Sequence, residues 1–165
     1  VANKSVKKLI EKYGGERILY RDLPKSAQLA IAHYMAIDGE AWPLPEIRKY
    51  PLNITSWLPK HLSYFVENWG DKPFGYVELP MEEVMADVMR NPEIKADFSD
   101  WEAYHDWYSV GPMPKHTSKD PWPVILSDYS DETLQDGWHR LHRYYDLGME
   151  TIPAVYYLPK VRYGV

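Results

Sequence analysis

The chain contains no cysteine, which excludes disulfides and thiolate metal sites everywhere in it. It also lacks any apolar run near the roughly 18 residues that a membrane helix needs. No signal-peptide pattern opens it, so a soluble cytoplasmic protein is the expectation. A basic excess is missing too. The net charge of −5 argues against a general nucleic-acid binder, although a local basic face stays open. Internal repeats and low-complexity runs are likewise absent. What is present is apolar and aromatic matter, 45% and 15% of the residues, enough for a substantial core in one domain with an extension.

The basic part comes first. Val1–Lys25 carries seven Lys and Arg against three acids. Val6, Leu9, Ile10 and Tyr13 recur at helical spacing within Ser5–Tyr13, and Gly14-Gly15 stops that helix. A basic amphipathic helix can touch nucleic acid or membrane. Here the charges alternate with acids, so a solvated lysine face is the simpler reading. A second helix is expected from Asp22 to Ile37, with Pro24 in its first turn and Leu29, Ala30, His33 and Ile37 as its stripe. Among these, His33 reads as packed or surface-exposed rather than as a ligand. Trp42–Pro51, with three prolines, reads as an extended connection. A third helix over Ser56–Trp69 carries Trp57, Leu58, His61, Leu62, Phe65 and Trp69 as a packing stripe, with Pro59 tolerable only in its first turn.

Gly70-Asp71-Lys72-Pro73 looks like a boundary. Residues 1–72 are expected to form a helical N-terminal extension and residues 73–165 the core. Tyr76–Leu79 is strand-like and Met81–Met89 helical, ended by Asn91-Pro92. Residues 93–121 read as a long acidic and aromatic loop of the lid or binding kind. Lys115, His116 and Lys119 in it are fit to contact phosphates. Val124–Leu126 and Thr133–Gln135 read as strands around a polar turn at Ser127–Asp131. Asp136-Gly137 breaks the pattern, a helix follows over 138–147, and Gly148 falls where a left-handed cap would end it. Thr151–Leu158 reads as a closing strand.

Chemistry concentrates where the strand enters that helix. Free backbone N–H groups at a helix N-terminus favour an anion, and Gly137 lets a phosphate approach the main chain. His139 and Arg140 sit in the first turn and Arg143 one turn after His139, so cationic donors surround one point. Asp136 is suited to a metal ion or a hydroxyl.

Asp136-Gly137-Trp138-His139-Arg140, a helix, Leu147-Gly148 and Thr151-Ile152-Pro153-Ala154-Val155 together resemble the ParB/sulfiredoxin superfamily. That match spans about 40 residues, with weaker agreement back to Tyr76–Val84. The resemblance implies an α+β core, a small mixed sheet with packed helices, that binds nucleotide phosphates. Family members include ADP-dependent free serine kinases, sulfiredoxins, CTP-binding partition proteins and proposed nucleases. Sulfiredoxins carry a catalytic Cys before the His-Arg pair, where this chain has Trp138, so thiol repair is excluded. Partition proteins carry a G-E-R-R type box and a downstream DNA-binding helical domain, which this chain, ending at Val165, is expected to lack.

The resemblance thus implies phosphotransfer or nucleotide hydrolysis with ATP or ADP, or CTP, and Mg2+. Phosphates would lie on Gly137, His139, Arg140 and Arg143, aided by Lys115 and Lys119. Asp136 would hold Mg2+, with His139 beside it. Glu78, placed where the free serine kinases have an acidic residue, would be the base for a small hydroxyl acceptor or water. Two alternatives stay open. His139 and His142, three apart, could bind a metal with Asp136, with His105 or His116 as a further ligand, giving a hydrolase or nuclease. The many Tyr and Trp residues would also suit a non-enzymatic interaction module.

Overall fold

A computed structural model describes residues 4–37, 54–109, 121–126 and 134–158. Trp42–Pro51, the Ser127–Asp131 turn, Lys115, His116 and Lys119 lie outside the described residues. The side chains of Val6, Leu9, Ile37 and Trp57 lie outside them as well.

The fold is mixed α+β. Helices α1 (Lys4–Tyr13), α2 (Lys25–Ile37), α3 (Ile54–Trp69), α4 (Met81–Val88), α5 (Pro92–Asp97), α6 (Trp101–Ser109) and α7 (Trp138–Asp146) surround strands β1 (Glu16–Leu19), β2 (Pro73–Pro80), β3 (Val124–Leu126), β4 (Leu134–Asp136) and β5 (Thr151–Tyr157). The five strands form one mixed sheet in the order β1-β2-β5-β3-β4. Only β5 and β3 run parallel; the other neighbours are antiparallel.

Strand alternation divides the sheet between two cores. Val77, Leu79, Val124, Leu126, Leu134, Ile152, Ala154 and Tyr156 face one side, where α1, α4, α6 and α7 pack. Phe74, Ile125, Val155 and Tyr157 face the other, covered by α2 and α3. The result is three layers, with helices on both faces of a buried sheet. No described helix is long and apolar enough to cross a membrane.

Two expectations are corrected here. The segment before Gly70 is not wholly helical, because Glu16–Leu19 is a strand paired in register with Pro73–Tyr76. Its four residues are too few to show periodicity, and they are held by pairing with β2 and by Ile18 packing against the α2–α3 core. Nor do α2 and α3 pack apart from the rest, since Leu29, Ile31, Leu62 and Phe65 share one core with Ile125 and Val155. α2 is buried almost all round, the mark of a central helix rather than a surface one. Residues 92–109 are the second correction, forming α5 and α6 instead of loop. Asn91 caps α5 by accepting from the Glu93 N–H at 2.9 Å, with Pro92 at the first position. Pro59 sits in the second turn of α3, because that helix starts at Ile54.

Candidate functional site

The β4–α7 junction is built by one glycine. Gly137 has φ +100°, a left-handed conformation that turns the chain from Asp136 directly into α7. A Cβ there would lie 3.0 Å from Val124 Cγ1 and 3.2 Å from its Cα. The missing side chain therefore serves close packing of the turn against β3. The N-cap residue of α7 is Gly137, which has no side chain to accept from the leading N–H groups. At the other end Gly148 (φ 72°) donates to the Tyr145 carbonyl and Met149 to that of Tyr144, a Schellman closure at the expected position.

Arg140 and Tyr144, one turn apart on α7, both grip the segment entering β3. Tyr144 Oη donates to the Trp122 carbonyl at 2.8 Å, and Arg140 Nη1 donates to the Pro123 carbonyl. Arg140 Nη2 donates to Asp136 Oδ2 at 2.8 Å, and the guanidinium carbon lies 5.9 Å from the Trp122 ring. Burial lowers the Arg140 pKa, and the Asp136 charge opposes that shift. Arg140 is thus a buried anchor that fixes Asp136, rather than a cation held out toward a ligand. The Asp136 side chain stays 35% exposed.

The sheet brings Glu78 to the same end. Glu78 stands opposite Pro153, Ala154 opposite Val124, and Ile125 opposite Asp136. Ile125, the partner of Asp136, and Tyr76, two residues before Glu78, both pack on the α2–α3 side. Three strand spacings of roughly 4.8 Å set β2 and β4 about 14 Å apart, and Glu78 and Asp136 are further staggered along the strands, Glu78 level with Pro153 and Asp136 with Val155. Desolvation raises the Glu78 pKa, and a hydrogen bond with Thr151 opposes the shift.

α2 adds His33, which the sequence reading had set aside as a packing residue. Its ring centroid is 6.0 Å from that of Trp122, and burial, then the Arg140 charge, lowers its pKa. His33, Trp122, Arg140, Asp136 and Glu78 thus mark one end of the sheet. The sequence motif joined Asp136 to Arg140, and the resemblance added Glu78, but no sequence signal adds His33 or Trp122, which come from distant segments. His139 is exposed beside the Tyr108 ring, 5.2 Å between centroids. Arg143 is half-buried, and among the described residues its Nε has no hydrogen-bond partner.

The histidine metal triad does not assemble. His142 is fully buried with its ring between Trp101 and Tyr108, at 4.9 and 3.9 Å. Its Nδ1 lies 2.8 Å from His105 Nδ1. Among the described residues no three His, Cys, Asp or Glu gather as a metal site. The i, i+3, i+4, i+7 spacing of Trp101, Tyr104, His105 and Tyr108 was the signal that this aromatic face belonged to a packed helix.

Fold and site together define a three-layer α+β domain with a glycine-turned helix N-terminus flanked by acidic groups. No family model matches the chain, and no curated protein or solved structure matches it either.

Proposed function

We propose that this chain binds a nucleotide by its phosphates at the N-terminus of α7 and uses it for phosphotransfer to a small hydroxyl compound or for hydrolysis. The observation that carries the reading is the Gly137 turn, which sets a nine-residue helix with a glycine N-cap directly after Asp136. Backbone N–H groups and the helix dipole favour an anion there. His139 stands in the first turn as a further donor. Arg140 acts through Asp136, holding the carboxylate in place, and does not itself grip phosphate.

Mg2+ suits this arrangement as an ion carried in by the nucleotide. It keeps several waters and asks for one or two carboxylates beside phosphate oxygens. Asp136 is the carboxylate present, so the protein needs no cage of its own. When bound, the ion would neutralise phosphate charge. Glu78, with its raised pKa, is the proton acceptor for the attacking hydroxyl.

Calorimetry with ATP, ADP and CTP, with and without magnesium, tests binding. Turnover with hydroxylated acceptors, compared among wild type, Asp136→Asn and Glu78→Gln, tests chemistry. Binding without turnover, or turnover that survives both substitutions, would discard the enzymatic half. One observation favours a non-catalytic reading: Trp107 is 63% exposed and backed by Phe98 at 5.3 Å, as in protein contact surfaces.

A further inference from the structure

The α6–α7 contact contains a chain of ionisable groups that the proposed reaction leaves unused. Asp146 Oδ1 lies 2.7 Å from His105 Nε2, and His105 Nδ1 lies 2.8 Å from His142 Nδ1. His105 is 6% exposed and His142 is fully buried, whereas the Asp146 side chain is 39% exposed. His142 Nε2 has no hydrogen-bond partner. Two imidazoles in an apolar contact cost desolvation that two aliphatic side chains would avoid.

The tautomers follow from the distances. With the Asp146 carboxylate accepting from His105 Nε2–H, one proton lies between the two Nδ1 atoms. In the uncharged pair it belongs to His142, and the His142 Nε2 carries only its lone pair. One added proton makes His105 the donor across the Nδ1 contact, beside the Asp146 carboxylate. A second added proton would place two hydrogens between nitrogens 2.8 Å apart and two cations edge to edge.

We propose that the Asp146–His105–His142 chain is a proton-operated latch that holds α6 on α7 and releases it when both rings become charged. Among the described residues, the titratable groups around the pair are Tyr104 and Tyr108 on α6, and His139, Tyr145 and Asp146 on α7. Asp146 is the carboxylate among these, and it already serves His105. Burial first, then His105, pushes the His142 pKa down to about 3. Release of α6 would also withdraw Tyr108 from His139, so the latch would regulate the end of α7 that carries the proposed site. The latch itself does not depend on any ligand.

Amide hydrogen exchange on the full chain from pH 7.5 to 4.5, corrected for intrinsic rates, provides the test. Protection in Trp101–Ser109 should fall below roughly pH 6.5 by about tenfold per pH unit for each proton gained on opening, while β2 and β5 stay protected. His142→Phe keeps a ring between Trp101 and Tyr108 and should flatten or invert this dependence. Asp146→Asn, altering a half-exposed side chain, should move release to higher pH. Unchanged α6 protection across the range would overturn the latch. Loss of α6 and the sheet at the same pH would overturn it too, as would the wild-type pH dependence in both variants.

Discussion

Gly137 and Arg140 turn a strand end into a fixed corner. At Gly137 an added Cβ meets both a left-handed backbone and Val124 at 3.0 Å. Gly137→Ala should therefore cost roughly 2–3 kcal/mol, against about 1 kcal/mol for Gly148→Ala, which has the positive φ but no neighbour within 4 Å. Urea denaturation of the two variants measures the difference. Arg140→Ala leaves Asp136 and the Pro123 carbonyl without their donor and should cost roughly 2–4 kcal/mol. Arg140→Lys should recover little of this, since an ammonium lacks the planar fork that serves both acceptors. Equal stability of Arg140→Ala and wild type would show that the anchor is not used. At Glu78 the folded pKa is raised, so its charge opposes folding above the ordinary carboxyl range. Glu78→Gln should leave Tm at pH 7 unchanged or slightly higher while abolishing any turnover.

At the scale of elements, the α6–α7 contact sets the acid limit of the fold. His142 has a folded pKa lowered to about 3, below its usual value of 6.5. The unfolded chain thus takes up a proton first as pH falls. The stability from neutral His142 is complete above about pH 6.5 and is lost between there and about pH 3, near 1.4 kcal/mol per pH unit. Chemical denaturation at pH 7.5, 6 and 5 should show that slope, and His142→Phe should reduce it. Element boundaries were legible wherever a local device set them. Gly148 ends α7 by its backbone conformation, and Asn91-Pro92 ends α4, although its second role in starting α5 was missed. The α6 helix was missed because its acids and aromatics resembled loop composition, although Trp101, Tyr104, His105 and Tyr108 repeat at helical spacing.

For the whole molecule, the sheet is shared between the two parts that the boundary at Gly70 seemed to separate. A fragment beginning at Pro73 would expose Phe74, Ile125, Val155 and Tyr157 and would leave β2 as an unpaired edge. Such a fragment should show no cooperative thermal transition by circular dichroism, whereas the full chain should show one. A sharp transition in the fragment would mean that α2 and α3 are dispensable cover.

The sequence by itself determined what is local. Helical periodicity marked α1, α2, α3, α4 and α7, β-branched runs marked β3 and β5, and Asp136-Gly137 marked the corner before α7. It also determined that no thiol chemistry occurs, because no side chain could perform it. Tertiary structure decided every pairing between distant segments: β1 against β2, His33 beside Trp122, and His105 against His142. It also decided that Arg140 points inward, since a guanidinium reads as a ligand donor until the carbonyl of Pro123 stands in front of it. Period and turn chemistry act over a few residues, whereas a side chain's role depends on which other segments the sheet register brings beside it.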